Sequence, residues 1–224
     1  MQITNTQDLL QNYAYRNDFT FFESSTPQTT LLYLKANGVY QVTFVGGGGG
    51  ADGGCRDSGR HGASRKRYHR NQPGRGGGSG AAFSGNVYLV KGYYQITVGA
   101  GGAGGPRVHG KGGARGGNGG VSQLLYSANS DMSNPKVVIV CNGGGGASAS
   151  SCAYHGSHPG NPGAGGQVSI SSDLIVKDLF LKTNGLGGIG EAGGNSVYSG
   201  TTYGKGGNAN SNPGNSGYVK VKLL

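Results

Sequence analysis

Short runs of β-branched and aromatic residues alternate with glycine tracts along this chain, and each run opens into its tract without a linker. Val42-Thr43-Phe44-Val45 meets Gly46 to Gly50, and Gln95-Ile96-Thr97-Val98 meets Gly99 and the glycine-rich stretch to Gly120. Val137-Val138-Ile139-Val140 leads through Cys141-Asn142 into Gly143 to Gly146. Runs of this kind predict strands. Others lie at Phe19–Phe22, Leu31–Leu34, Val121–Tyr126, Gln167–Ile170 and Tyr218–Leu223, the last alternating so that Lys220 and Lys222 face water. Asp173–Lys182 alternates imperfectly and reads as a strand or a short helix. Asn37-Gly38 is a hairpin signal between Leu31–Lys35 and Val39–Val45, and Gly92 suggests a second hairpin joining Asn86–Lys91 to Tyr93–Val98. Leu9, Leu10, Tyr13 and Tyr15 recur at roughly helical spacing, so residues 1–18 are expected to form an arm or a short helix ahead of a glycine-rich domain over 19–224. The expected fold class is all-β.

Fifty glycines in 224 residues would ordinarily signal a disordered linker. The strand-to-glycine junctions argue otherwise, and so does the spacing inside the longest tract. Ala100, Ala103, Pro106 and His109 are three apart, the repeat of a polyproline-II-type helix. Such a helix has no internal hydrogen bonds, so its amides must pair with neighbours or water. With hydrogen as the side chain, several can pack laterally into a polyglycine-II bundle inserted between the strands. Collagen is excluded, because the Gly-X-Y period is not sustained and there are seven prolines.

Apolar residues make up 34% of the chain and Trp is absent, so any side-chain core is small and takes its bulk from Tyr and Phe. The net charge is +10, and residues 55–75 hold seven basic side chains against one acid, Asp57. Within this basic insert, Arg65, Lys66, Arg67, Tyr68, His69 and Arg70 are candidates for gripping phosphate, sulfate or carboxylate, or an acidic partner surface. A solvated loop that keeps the protein soluble is the plainer alternative. Nucleic acid is disfavoured, since no recognised motif accompanies the charge and one tyrosine interleaves it. Tyr154, His155 and His158, with Tyr198 and Tyr203, sit in loops leaving glycine tracts, where Tyr among Ser, Gly and Asn has the composition of adaptable recognition loops. Packing over the edge of the glycine bundle is the competing role for these tyrosines.

Three cysteines do not make a disulfide framework: Cys141 ends a buried-looking strand as a small apolar residue, and Cys55 with Cys152 can form one bridge. Cys152, His155 and His158, with His61, His69 and Cys55, have spacings open to a metal, but nothing in the sequence brings their loops together, and no metal or cofactor is expected. Neither P-loop nor dinucleotide fingerprint survives, because more glycine follows the glycines instead of Lys-Ser/Thr or a helix. The nine acids are scattered without a paired carboxylate or nucleophile arrangement, so an enzyme is not expected. No segment approaches the roughly 18–20 apolar residues of a membrane span. The first ten residues carry no signal-peptide pattern, which fits a virion component released by lysis, an intracellular protein, or one exported by a specialised route.

Val42–Val45 before five glycines, the Gln95–Gly105 segment and the closing Gly217-Tyr218-Val219-Lys220-Val221 strand together resemble the glycine-rich domains of bacteriophage tail-fibre adhesins and related virion proteins. A similar module occurs in the ectodomain of the anaplastic lymphoma kinase receptors. The resemblance spans roughly residues 19–224. It implies a β-sandwich or jelly-roll-like scaffold with polyglycine-II helices between its strands, and loops at one end of the bundle that bind a host-surface receptor. The leading expectation is therefore a virion or extracellular-surface adhesin that binds a host glycan or outer-membrane protein. A self-assembling filament or sheath subunit is the alternative, and ice binding a weaker third.

Overall fold

A computed structural model describes residues 21–61, 66–109, 112–153 and 156–224. The arm or helix expected over 1–18 lies outside them. Among the described residues all regular structure is β, with no helix. The strands are β1 (Phe21–Ser24), β2 (Gln28–Leu34), β3 (Gly38–Val45), β4 (Cys55–His61) and β5 (Lys66–Gln72), followed by β6 (Ala82–Leu89), β7 (Gly92–Val98) and β8 (Val108–His109). The second half holds β9 (Ser122–Ser127), β10 (Lys136–Cys141), β11 (Ser151–Ala153), β12 (Gly156–His158), β13 (Val168–Ile170), β14 (Ile175–Thr183) and β15 (Tyr218–Leu223). The segment that read as strand or short helix is β14.

Two five-stranded sheets are antiparallel throughout, ordered β1-β15-β3-β6-β14 and β13-β10-β9-β7-β2. Alternate residues of both feed one apolar cluster. Val42, Phe44, Phe83, Val87 and Val221 come from the first sheet, and Leu32, Ile96, Leu124, Ile139 and Cys141 from the second. Lys222 is exposed and Lys220 half-exposed, as the alternation of β15 requires.

Neither expected hairpin forms. β2 pairs with β7 and β3 with β6, so the chain passes from one sheet to the other at Asn37-Gly38 and again between Leu89 and Gly92. A two-residue type I′ turn needs positive φ at both central residues, and neither Asn37 nor Gly38 has it. Asn37 Oδ1 instead accepts the Lys91 N–H at 2.6 Å, which ties the two crossings side by side. The cause is burial. A hairpin would put Leu32, Leu34, Tyr40 and Val42 in one layer, whereas an apolar sheet face needs a second layer over it.

Beyond the sheets the chain continues as glycine-rich connectors. Those between β3 and β4, β5 and β6, β7 and β8, β10 and β11, and β12 and β13 each contain nine residues. The first is completely buried from Gly46 to Gly54. Its amides pair in rotation: Gly46, Gly49 and Asp52 donate to Ala81, Gly78 and Arg75; Gly47 and Gly50 to Gly120 and Gly117; Gly48 and Ala51 to Asn215 and Asn212, all at 2.8–3.0 Å. Its carbonyls accept in the same three-residue rhythm, with Gly144 and Ala147 bonding to Gly47 and Gly50, and Gly102 and Gly105 to Gly48 and Ala51. Gly49 O accepts Gly207 N–H. One segment thus has six lateral neighbours. At the lattice rim the same rhythm governs exposure: Ala100, Ala103, Pro106 and His109 are exposed, while Gly99, Gly102 and Gly105 are buried.

The spacing leaves no room for a methyl group. A Cβ on Gly49 would lie 2.0 Å from the Gly145 carbonyl oxygen, whereas one on Gly112 would meet nothing within 4 Å. Gly49→Ala is therefore expected to destabilise the protein by about 3 kcal/mol or more, since the backbone it strikes has no rotamer to adopt. Gly112→Ala is expected to melt within a degree or two of the parent; thermal unfolding by circular dichroism measures both.

Candidate functional site

Five connectors lead from the large sheets to a second set of short strands at the far side of the lattice. There β4 pairs antiparallel with β5 and parallel with β8, and β11 pairs with β12. β11 lies against β4 and β5, and β12 against β5. Gly112 bridges to Ser151, and Val108 N–H reaches Gly54 O at 3.3 Å. The basic insert and the His- and Pro-bearing loop, far apart in sequence, thus form one tip.

Two features fix it. Cys55 and Cys152 form a disulfide across a separation of 97 residues, with a Cα–Cα distance of 5.9 Å. The bridge removes both thiols from the metal-ligand candidates, and among the described residues no group of three or more His, Cys, Asp or Glu could hold a metal ion. Beneath it, Asp52 is wholly buried. Its Oδ1 accepts Gly54 N–H at 2.9 Å, and Oδ2 accepts Ser150 N–H at 2.9 Å and the Ser150 hydroxyl at 2.5 Å. Gly54 turns into β4 with φ +70°, a conformation costly for a residue with a Cβ. Ser150 Oγ also accepts Gly160 N–H at 3.1 Å, so one carboxylate and one hydroxyl lock three connectors where they enter the tip.

Of the nominated residues, Lys66, Arg67, Tyr68, His69 and Arg70 all lie on β5, where the register sets Arg67 opposite Arg60 and Lys66 opposite His61. Arg65, Tyr154 and His155 fall outside the described residues. His158 ends β12 and is exposed. Arg56, Arg107 and His109 are exposed beside them, β4 and β8 setting Arg56 next to His109, and Arg107 Nη2 donates to Asn71 Oδ1 at 2.9 Å. Residues 55–75 and 107–115 hold ten of the nineteen basic side chains and one of the nine acids. Two further polar atoms, Ser157 Oγ and Arg75 Nε, are buried here without a partner.

Tyr198 and Tyr203 are not at the tip. They stack on Tyr218 of β15 at centroid distances of 5.9 and 4.6 Å and join a small cluster with Val45 and Ala82 on the outer face of the first sheet. Burial, with the Glu23 carboxylate bonded to its hydroxyl at 2.6 Å, pushes the Tyr218 phenol well above its ordinary pKa. Sequence reasoning missed Asp52, Ser150 and Arg107, which immediately precedes β8. A lone aspartate at the end of a glycine tract was the available signal, and its meaning depends on a serine 98 residues away.

A family model described as a glycine-rich domain matches residues 25–222, and the chain belongs to that family. No curated protein matches it. Among the described residues, no helix is long and apolar enough to cross a membrane.

Asp52→Ala would leave three donors without their charged acceptor and is expected to cost about 3 kcal/mol, read as faster proteolysis within residues 55–75 and a lower melting temperature. Burial pushes the Cys141 thiol up to about 12. The thiolate is therefore scarce in the folded protein at any pH below that value, and iodoacetamide at pH 8–9 is expected to label Cys141 only after denaturation.

Proposed function

We propose that this protein is a non-enzymatic adhesin of a virion or extracellular surface, whose tip contacts a host-cell glycan or outer-membrane protein. The single observation that carries this reading is the convergence of the β4–β5 hairpin, β8 and the β11–β12 hairpin into one cross-linked, strongly basic surface at the end of the glycine lattice. The disulfide agrees with an oxidising, extracellular location. We read the three-residue rotation of hydrogen bonds as a polyglycine-II bundle, and the cluster shared by the two large sheets as the core of a β-sandwich. On that reading nine residues per connector give a bundle about 28 Å long at ~3.1 Å per residue. Its rigidity is the functional point, because loops held in their binding conformation lose little entropy on contact.

A second reading, a self-assembling filament or sheath subunit, draws support from β14. It is an outermost strand, with Ile175 53% and Leu179 56% exposed, and open apolar edges favour pairing with another chain.

Reversing charge at Arg56 and Arg107 together is expected to reduce binding of labelled protein to candidate host cells at least tenfold, with the melting temperature little changed; undiminished binding would reject the tip as the contact surface. Sedimentation velocity at high protein concentration and low salt separates the second reading, which requires large assemblies that Leu179→Lys dissolves.

A further inference from the structure

The outer face of the first sheet holds a groove of about 430 Å³, well away from the tip. Its floor is Gln41 and Thr43 of β3 with Ser84 of β6, and Phe180, Tyr198, Ser199 and Lys220 stand along its walls. The sheet is specialised around it. β14 is bulged between Leu179 and Leu181, so Phe180 has no partner on β6, and its ring stays 55% exposed at the groove. A bulge next to a binding site re-aims a side chain in this way. Tyr198 is held from behind by its stack on Tyr218. Its own loop is pinned by Ser196 Oγ donating to Tyr203 O at 2.7 Å and Thr201 Oγ1 donating to Tyr198 O at 2.8 Å.

The polar groups of the floor are under-used. Thr43 and Ser84 share one hydrogen bond at 2.9 Å, which leaves one hydroxyl proton and several lone pairs unspent. Beside them, Asn86 sits opposite Gln41 in the β3–β6 ladder. Its amide donates to Asp178 Oδ2 at 2.8 Å, while Asn86 Oδ1 is buried with no partner.

We propose that this groove binds a single pyranose unit of a glycan, with the sugar ring against Phe180 and Tyr198 and its hydroxyls bonded to Gln41, Thr43 and Ser84. The chemistry selects a sugar because the site pairs two ring faces with an amide, hydroxyls and the Lys220 ammonium. A purely apolar ligand would leave those polar groups unsatisfied. The Lys220 ammonium, which also lies over the Phe21 ring at 5.8 Å from its centroid, admits a carboxylated sugar as well as a neutral one. The site is separate from the tip and stands whether or not the tip is an adhesive surface.

The test is amide-resonance mapping of the full chain titrated with methyl glycosides of glucose, galactose, mannose and N-acetylglucosamine, with a methyl glucuronide and indole as contrasting probes. Saturable shifts at Gln41, Ser84 and Ser199 are expected with at least one of these glycosides. Phe180→Ser and Gln41→Ala should each weaken binding about five- to tenfold. Both side chains lie on the solvent side of the sheet, so circular dichroism should show an intact fold. The Arg56/Arg107 charge-reversed protein should bind the glycoside like the parent. Shifts confined to the tip, binding of indole alone, or no response to any glycoside would overturn the proposal.

Discussion

The backbone amide of the buried glycine connectors governs this structure. In the connector from Gly46 to Gly54 water cannot reach the N–H and C=O groups, and Gly76 to Ala81 are buried in the same way. An unpaired buried amide would cost as much as a lost hydrogen bond. Pairing within a segment is not available to an extended chain. The lattice satisfies each amide laterally, and at most of its positions the close approach leaves room only for hydrogen as a side chain, as the approach of the Gly145 carbonyl to Gly49 makes plain. The glycine content that would otherwise favour disorder is thus the condition for order. Equal connector length follows from the same constraint. With successive residues bonding to three different neighbours, the five connectors between the large sheets and the tip take the same number of three-residue steps.

Such a lattice has no side-chain core of its own, so its two ends are closed by other chemistry. At the sheet end, the Ser122 hydroxyl accepts Gly99 N–H at 2.9 Å and donates to Val45 O at 2.6 Å, joining the two sheets where the glycines begin. Side-chain packing takes over from there, with Phe44, Phe83, Ile96 and Leu124 wholly or almost wholly buried. At the far end, the buried Asp52 carboxylate and the Cys55–Cys152 bridge do the same work. In the chain-entropy account a disulfide closing a loop of about 100 residues contributes on the order of 4–5 kcal/mol. That is a large fraction of a typical domain's stability.

The proposed function uses this division of labour. Stability resides in the sheets and lattice, which frees the tip to carry like-charged strands that would be poor choices in a structural element. The groove on the first sheet follows a different logic: there a bulge and a pinned loop open aromatic rings over unspent hydroxyls and amides. A basic tip and a separate groove on one rigid body would let the protein meet a charged surface and a sugar independently.

Much of this was written in local sequence. The junction of Val42–Val45 with five glycines and the three-residue spacing of Ala100, Ala103, Pro106 and His109 specify strands opening into laterally bonded segments, because both depend only on the chain's own period and on the missing Cβ. The edges of β15, and those of β9 and β10 to within a residue, were legible for the same reason. What local pattern could not decide was which strands share a sheet. Asn37-Gly38 carries a hairpin signal, yet burial of Leu32 and Val42 on opposing layers sends the chain across the gap. The tip was invisible for a related reason: Cys55 meets Cys152, and Asp52 meets Ser150, only after five connectors of matching length have carried them to the same height. The sequence by itself determined most strands of the two large sheets and the material of the lattice. Tertiary structure decided their neighbours, since those are set by burial and amide pairing between segments that no local period connects.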